Sequence, residues 1–201
     1  MSPERQDSLL KQWKLTEQEL TEIVQQNPSM RGLMLGYVAE YKLRKMYFSD
    51  PCFENVHKSD DHDRKKKGDL TVTYKGREFR IECKSLQTNS IEKNDAGYFG
   101  KYQCDASDRR TIKVGSKMVD TTCLLVGEFD IIAVNLFSFE NKWIFAFALN
   151  EDLPRSTYRK YPRTVQQRLL ATLMPVSLPL QAPYTESPIP LLERLLSRAS
   201  R

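Results

Sequence analysis

The alternation of apolar and polar residues predicts an α/β protein with a mixed central β-sheet flanked by helices. Three observations carry this. Helical periodicity runs from Met30 to Tyr47, two β-rich runs at 69–74 and 77–84 flank Lys75-Gly76, and two further strand-like runs cover 129–137 and 142–149. The composition agrees. Of 201 residues, 40% are hydrophobic and 28% charged, which suits an ordinary globular domain and excludes a disordered acidic tail or a collagen-like chain. One domain over residues 1–201 is expected, with its core at about 29–150 and a basic, Pro-rich extension at 153–201.

Taken in order, Thr16 and Glu19 have the spacing of a capping box and start a helix that ends near Asn27-Pro28. Ser29 offers a second cap. The helix beyond it has Leu33, Tyr37, Val38, Tyr41 and Met46 as candidate core positions, and Asp50-Pro51 breaks it. Residues 57–68 are polar and charged and read as a loop. Lys75-Gly76 between β-rich runs reads as a hairpin turn. Residues 87–101 read as an irregular connection, and Thr121 or Thr122 as the cap of a short helix through 123–126. The strands at 129–137 and 142–149 join at Glu140-Asn141, with Trp143, Phe145 and Phe147 alternating into the core. Beyond them come a helix at 164–173, an extended Pro-rich stretch and a last helix from Leu191.

Charge is concentrated at one end. The net charge is +5, and residues 153–201 hold eight Lys+Arg against two Glu. Such a surface attracts polyanions, although a solvated basic face has the same composition. The longest apolar runs are too short to cross a bilayer, and the first residues include no uncharged hydrophobic stretch of signal-peptide type. Four scattered cysteines without a CxxC then read as reduced thiols in a cytoplasmic protein.

The hairpin carries the chemistry. A two-residue turn pairs Tyr74 with Arg77, Val72 with Phe79 and Leu70 with Ile81, so the apolar residues share one side. Continued one step, the same register sets Asp69 opposite Glu82, with Lys84 pointing the same way. A slip of one residue would destroy both features. Carboxylates opposed at roughly 5 Å repel. A divalent cation with oxygen ligands relieves that repulsion, and its bound water can serve as a nucleophile. Lys84 can orient or deprotonate that water, or stabilise charge on a phosphorane-like transition state. The bland alternative is a surface hairpin on which Lys84 merely neutralises two acids.

These residues resemble the PD-(D/E)XK nuclease superfamily. Gly68-Asp69 opens one strand, Glu82-Cys83-Lys84 lies on the next, and Gly36 to Glu40 on the preceding helix looks like that family's helical Gly-xxx-Glu. The resemblance implies a restriction-endonuclease-like core in the order helix, three strands, helix, strand over 30–137, with the first strand somewhere in 52–57. It also implies Mg²⁺-dependent hydrolysis of DNA, with Asp69 and Glu82 as metal ligands and Lys84 as the catalytic lysine. The motif departs in having Gly rather than Pro before Asp69. Glu40 then either reaches the metal cluster or pairs with Arg44 one turn on.

DNA contacts are expected from Gln103, Asp105, Ser107, Asp108, Arg109 and Arg110, a segment dense in donors and acceptors that suit base edges or, alternatively, a salt-bridged turn. Tyr98, Lys101 and Tyr102 are candidate backbone contacts. A basic helix with Arg155, Arg159, Lys160 and Arg163 would grip phosphates. Cys52, His57 and His62 have no zinc-site spacing, and Asp60, Asp61 and Asp63 lack the rest of a calcium loop. Arg64 to Lys67 reads as a phosphate-facing or solvated loop. The expected function is a small type II restriction enzyme acting on double-stranded DNA. A homodimer and a cognate methyltransferase in the same system are expected with it, and no membrane. A repair or mobile-element nuclease of the same fold, and a non-cleaving nucleic-acid-binding module, are the alternatives.

Overall fold

A computed structural model describes residues 8–58, 68–115 and 117–199. Two compact units divide the chain, one ending at Val38 and the other starting at Ala39. The first unit is helical. Ser8 caps α1 (Leu9–Trp13), and Thr16 caps α2 (Glu17–Gln26) through the expected reciprocal bonds. The Glu19 amide donates to Thr16 Oγ1 at 3.2 Å and the Thr16 amide to Glu19 Oε2 at 2.7 Å. Helix α3 (Pro28–Tyr47) begins two residues earlier than expected. Pro28 takes the first helical position, where its missing N–H costs nothing, so Ser29 lies inside the helix and is no cap. The core stripe of α3 also differs from expectation. Leu33, Tyr37, Val38, Tyr41 and Met46 are all exposed, whereas Ala39 and Leu43 are fully buried. Apolar residues surround this helix on several sides, and periodicity alone selected the wrong one.

The second unit is built on a five-stranded sheet in the order β1-β2-β3-β8-β9. Its strands are β1 (Phe53–Lys58), β2 (Leu70–Tyr74), β3 (Arg77–Ser85), β8 (Ile131–Asn135) and β9 (Phe145–Leu149). Only β3 and β8 run parallel, so the sheet is mixed. Strands β8 and β9 are buried at every position, as strands covered on both faces must be. Phe79, Ile81, Ile131, Phe145 and Phe147 point to one side, against Ala39 and Leu43 of α3 and Leu191 and Leu192 of α6 (Ile189–Ala199). Ile132, Val134, Ala146 and Ala148 point to the other side. A smaller sheet covers them, in the order β10-β5-β4, formed by β10 (Leu173–Leu178), β5 (Gly97–Gln103) and β4 (Glu92–Asn94). A two-stranded ribbon, β6 (Asp105–Val114) and β7 (Lys117–Cys123), stands apart from both sheets.

The crossover from β3 to the parallel β8 corrects the expected order. Residues 87–101 hold a short 3₁₀ turn and strands β4 and β5, and Thr121 and Thr122 lie in β7 rather than capping a helix. Among the described residues no α-helix separates β3 from β8; strands provide the long connection that a parallel pair requires. Strands β8 and β9 are shorter than expected and are joined by α4 (Phe137–Glu140). The helix expected at 164–173 shrinks to α5 (Arg163–Gln166), and the chain turns into β10 instead. Pro175 is tolerated there because β10 is an edge strand.

Candidate active site

The β2–β3 ladder has the register read from the sequence, from Tyr74↔Arg77 to Leu70↔Ile81. Lys75 and Gly76 both take positive φ (49° and 75°), as a type I′ hairpin turn demands. The ladder stops before Asp69. The Asp69 amide donates to the Ile81 carbonyl at 2.9 Å, and its Oδ2 accepts the Cys83 amide at 2.7 Å. Asp69 thus reaches β3 through its side chain and is fixed at the strand's end rather than standing as the next rung opposite Glu82. Gly68 makes this possible. Its φ is +83°, a conformation closed to proline and strained for any residue with a Cβ, so Gly rather than Pro precedes the aspartate.

Glu82 is buried, and Lys84 Nζ lies 2.7 Å from its Oε1. Burial, assisted by the negative charges of Asp69 and Glu128, pushes the Glu82 carboxyl up to about 7 against the opposing pull of Lys84. Burial alone would lower the Lys84 ammonium. The charges of Glu82 and Asp69 outweigh it and hold Lys84 above the usual lysine range. Asp69, Glu82 and Lys84 therefore form one electrostatic cluster with two acids and one base. Cys104 is fully buried beside it, its thiol pushed up to about 12 by burial.

Glu40 pairs with Lys58 of β1 at 3.0 Å, a partner that neither sequence alternative named. Its charge acts on the half-buried Cys83 thiol, raised chiefly by desolvation. Among the described residues no three His, Cys, Asp or Glu side chains form a metal-ligating group. Cys52 is exposed and His57 bonds to the Asn55 carbonyl, while His62, Asp60, Asp61, Asp63 and residues 64–67 lie outside the described residues.

The expected DNA contacts separate into two groups. Arg110 turns inward. Its guanidinium is bidentate on Glu128 and donates to the Cys123 carbonyl at 3.0 Å, and Glu128 Oε2 accepts the Leu125 amide at 2.8 Å. It is unavailable to a base edge. Arg155 is likewise engaged by the Leu153 and Glu151 carbonyls. The segment around it is no helix, so the expected phosphate-gripping helix does not form. Tyr102 is fully buried and bonded to Tyr184, and Tyr98 stacks on Phe139. Gln103 Nε2 donates to Asp105 Oδ2 at 2.9 Å, so those two hold each other. Lys101, Asp108, Arg109, Arg159, Lys160 and Arg163 are exposed, and nothing is described of the Ser107 side chain.

The Glu128 carboxylate escaped the sequence reading. It lies 18 residues from Arg110, and only the folded crossover brings the two together. Thr111, Lys113 and Asp120, the exposed neighbours of Arg109 on the ribbon, also escaped, although the period-2 alternation of 109–114 was there to be read.

No family model matches this chain, and no curated protein matches it. Among solved structures, the bacterial homing endonuclease I-Ssp6803I is similar over 73% of this chain and 84% of its own, at 19% sequence identity and a TM-score of 0.30. At that score the functional reading rests on the side chains already described.

Proposed function

We propose that the protein is a Mg²⁺-dependent endonuclease that hydrolyses phosphodiester bonds of double-stranded DNA. The observation that carries this reading is the pair of half-buried Lys84 and buried Glu82 at 2.7 Å, in one electrostatic cluster with Asp69. The donor set fits a hard cation. Two carboxylates neighbour one ammonium, and a cation beside them would offset the burial that, with the charge of Asp69, raises the Glu82 carboxyl. Two protein carboxylates with the remaining positions left to water is how Mg²⁺ is commonly held. Asp69 and Glu82 would hold it, and when bound it supplies Lewis acidity and an acidified water.

The chain's own groups have distinct tasks. Cys83 fixes the Asp69 carboxylate through its amide, leaving Oδ1 for a ligand. Lys84, held protonated by its two acidic neighbours, acts as a cation toward the phosphate oxygens on which charge grows, and not as a base. Glu40 is committed to Lys58 and is a supporting residue here. Within this reading, site-specific cutting by a type II restriction enzyme is the form we favour, with two copies cutting the two strands and a methyltransferase protecting the host's sites. Among the described residues no helix is long and apolar enough to cross a membrane.

The test is incubation with plasmid and long linear DNA, with Mg²⁺ and with EDTA. Discrete, metal-dependent fragments are expected. A smear or cutting only at branched structures would indicate a repair or mobile-element nuclease, and intact DNA under every divalent ion would leave a binding module. Lys84→Ala should abolish cutting, a loss of at least about a thousandfold, while DNA affinity is retained.

A further inference from the structure

We propose that the outward face of the β6–β7 ribbon enters the DNA major groove and sets the cleavage sequence. The proposal takes its partner from the nuclease reading above, but the ribbon's own construction carries it.

The ribbon is two-faced. Ile112, Val114 and Val119 lie on one side and pack with Cys123, Val165, Leu169 and Tyr161. Arg109, Thr111 and Lys113 on β6, with Met118 and Asp120 on β7, lie on the other side and are exposed. Thr111 pairs with Asp120 and Lys113 with Met118, so these side chains form a compact outward patch. Thr111 Oγ1 donates to Asp120 Oδ1 at 2.6 Å, which orients the carboxylate and leaves Oδ2 as an acceptor. A surface strand that only covers a core can carry any polar residues. This one carries an arginine for guanine, an oriented acceptor for a cytosine amino group and a methionine for a thymine methyl. Two strands at ~4.8 Å spacing fit the ~12 Å major groove, and Arg109 to Lys113 span about 13 Å, the rise of about four base pairs.

Two further contacts place the ribbon for this task. Its inward Arg110 is anchored on Glu128, three residues before β8, the strand whose Ile132 and Val134 pair with Glu82 and Lys84 of β3, so the ribbon is rooted beside the candidate active site. Along its β7 edge, Tyr161 Oη donates to the Asp120 carbonyl at 3.2 Å, which brings up the turn carrying Arg159, Lys160 and Arg163. Among the described residues none of these three, nor Arg109 or Lys113, has an acidic partner within 4.0 Å; they are free to meet phosphates or bases.

The experiment is selection from a random-sequence duplex library, read both as bound DNA in Ca²⁺ and as cleaved ends in Mg²⁺. It compares the wild type, Arg109→Ala/Lys113→Ala, Asp120→Asn and Lys160→Ala, each with a melting curve to confirm folding. The ribbon variants should relax or change the consensus at up to about four adjacent positions, with a preference loss of about tenfold or more at each. Lys160→Ala should weaken every duplex alike. An unchanged consensus in folded ribbon variants, while the wild type cuts, overturns the ribbon proposal alone. A wild type that enriches a sequence without cutting overturns the nuclease reading and leaves the ribbon's role standing if the variants shift that sequence. Neither cutting nor enrichment overturns both.

Discussion

Glu82 is the residue on which the site turns, because its charge is expensive where it lies. With its carboxyl raised to about 7, the folded protein holds a proton there that the unfolded chain releases near the ordinary value of 4.5. This contribution to stability is therefore fully present below 4.5 and is lost as pH rises through about 7. A cation on Asp69 and Glu82 must displace that proton. The melting temperature should accordingly rise more on addition of Mg²⁺ at about pH 8 than at about pH 6. The Asp69→Asn variant should lose most of that rise at both. Equal shifts at the two pH values, or in wild type and variant, would place the ion elsewhere. The Glu82–Lys84 pairing was legible in the sequence because alternate residues of one strand share a face, whereas the rung expected to set Asp69 opposite Glu82 is not formed. The pairs Arg110–Glu128 and Glu40–Lys58 were not legible, since each joins residues 18 apart with no shared periodicity, and only the sheet's packing selects the partner.

At the scale of elements, the end of β2 shows how local conformation sets a functional position. A Cβ at Gly68 would meet the Ile81 carbonyl oxygen at 3.2 Å and Arg80 Cβ at 3.3 Å, in addition to the strain of φ +83°. Gly76 also has positive φ, yet a Cβ there meets nothing within 4 Å. Gly68→Ala and Gly76→Ala should each cost about 1–2 kcal/mol of stability, read from urea midpoints. Only Gly68→Ala should also reduce cleavage by the fully folded protein, about tenfold or more, because it moves the backbone that carries Asp69. Equal activities would mean that Asp69 is placed by something other than this turn. The hairpin was readable because turn chemistry and β-alternation agree. The crossover was not. Residues 87–101 carry turn-formers that suggest a loop, and β10 carries Pro175, which suggests no strand. Their β-structure comes from docking onto the apolar face of the large sheet, an energy that no local window contains.

Across the whole molecule, the large sheet lies between two apolar layers, and the last fifty residues contribute to both. Leu191 and Leu192 of α6 are buried with Phe147 and Leu43, while Met174, Val176 and Tyr184 lie in the opposite layer. Helix α6 is also clamped from outside. Glu193 accepts bonds from Tyr74 Oη at 2.7 Å and Lys75 Nζ at 2.5 Å, which ties the C-terminal helix to the turn of the β2–β3 hairpin. The sequence pointed instead to the apolar residues of α3, of which Leu33 is 61% exposed. Two truncations separate these views. Leu192, at 0% exposure, leaves a void among aromatic rings when cut to alanine, and Leu192→Ala should lower stability by about 2–5 kcal/mol. Leu33→Ala removes surface already in water and should change stability by no more than about 0.5 kcal/mol. Equilibrium urea denaturation of both variants measures the difference. Comparable losses would mean that the face of α3 carrying Leu33 is covered by a partner in solution. A loss at Leu192 alone would show that the sheet bearing Glu82 and Lys84 is held in shape from its far side by the end of the chain.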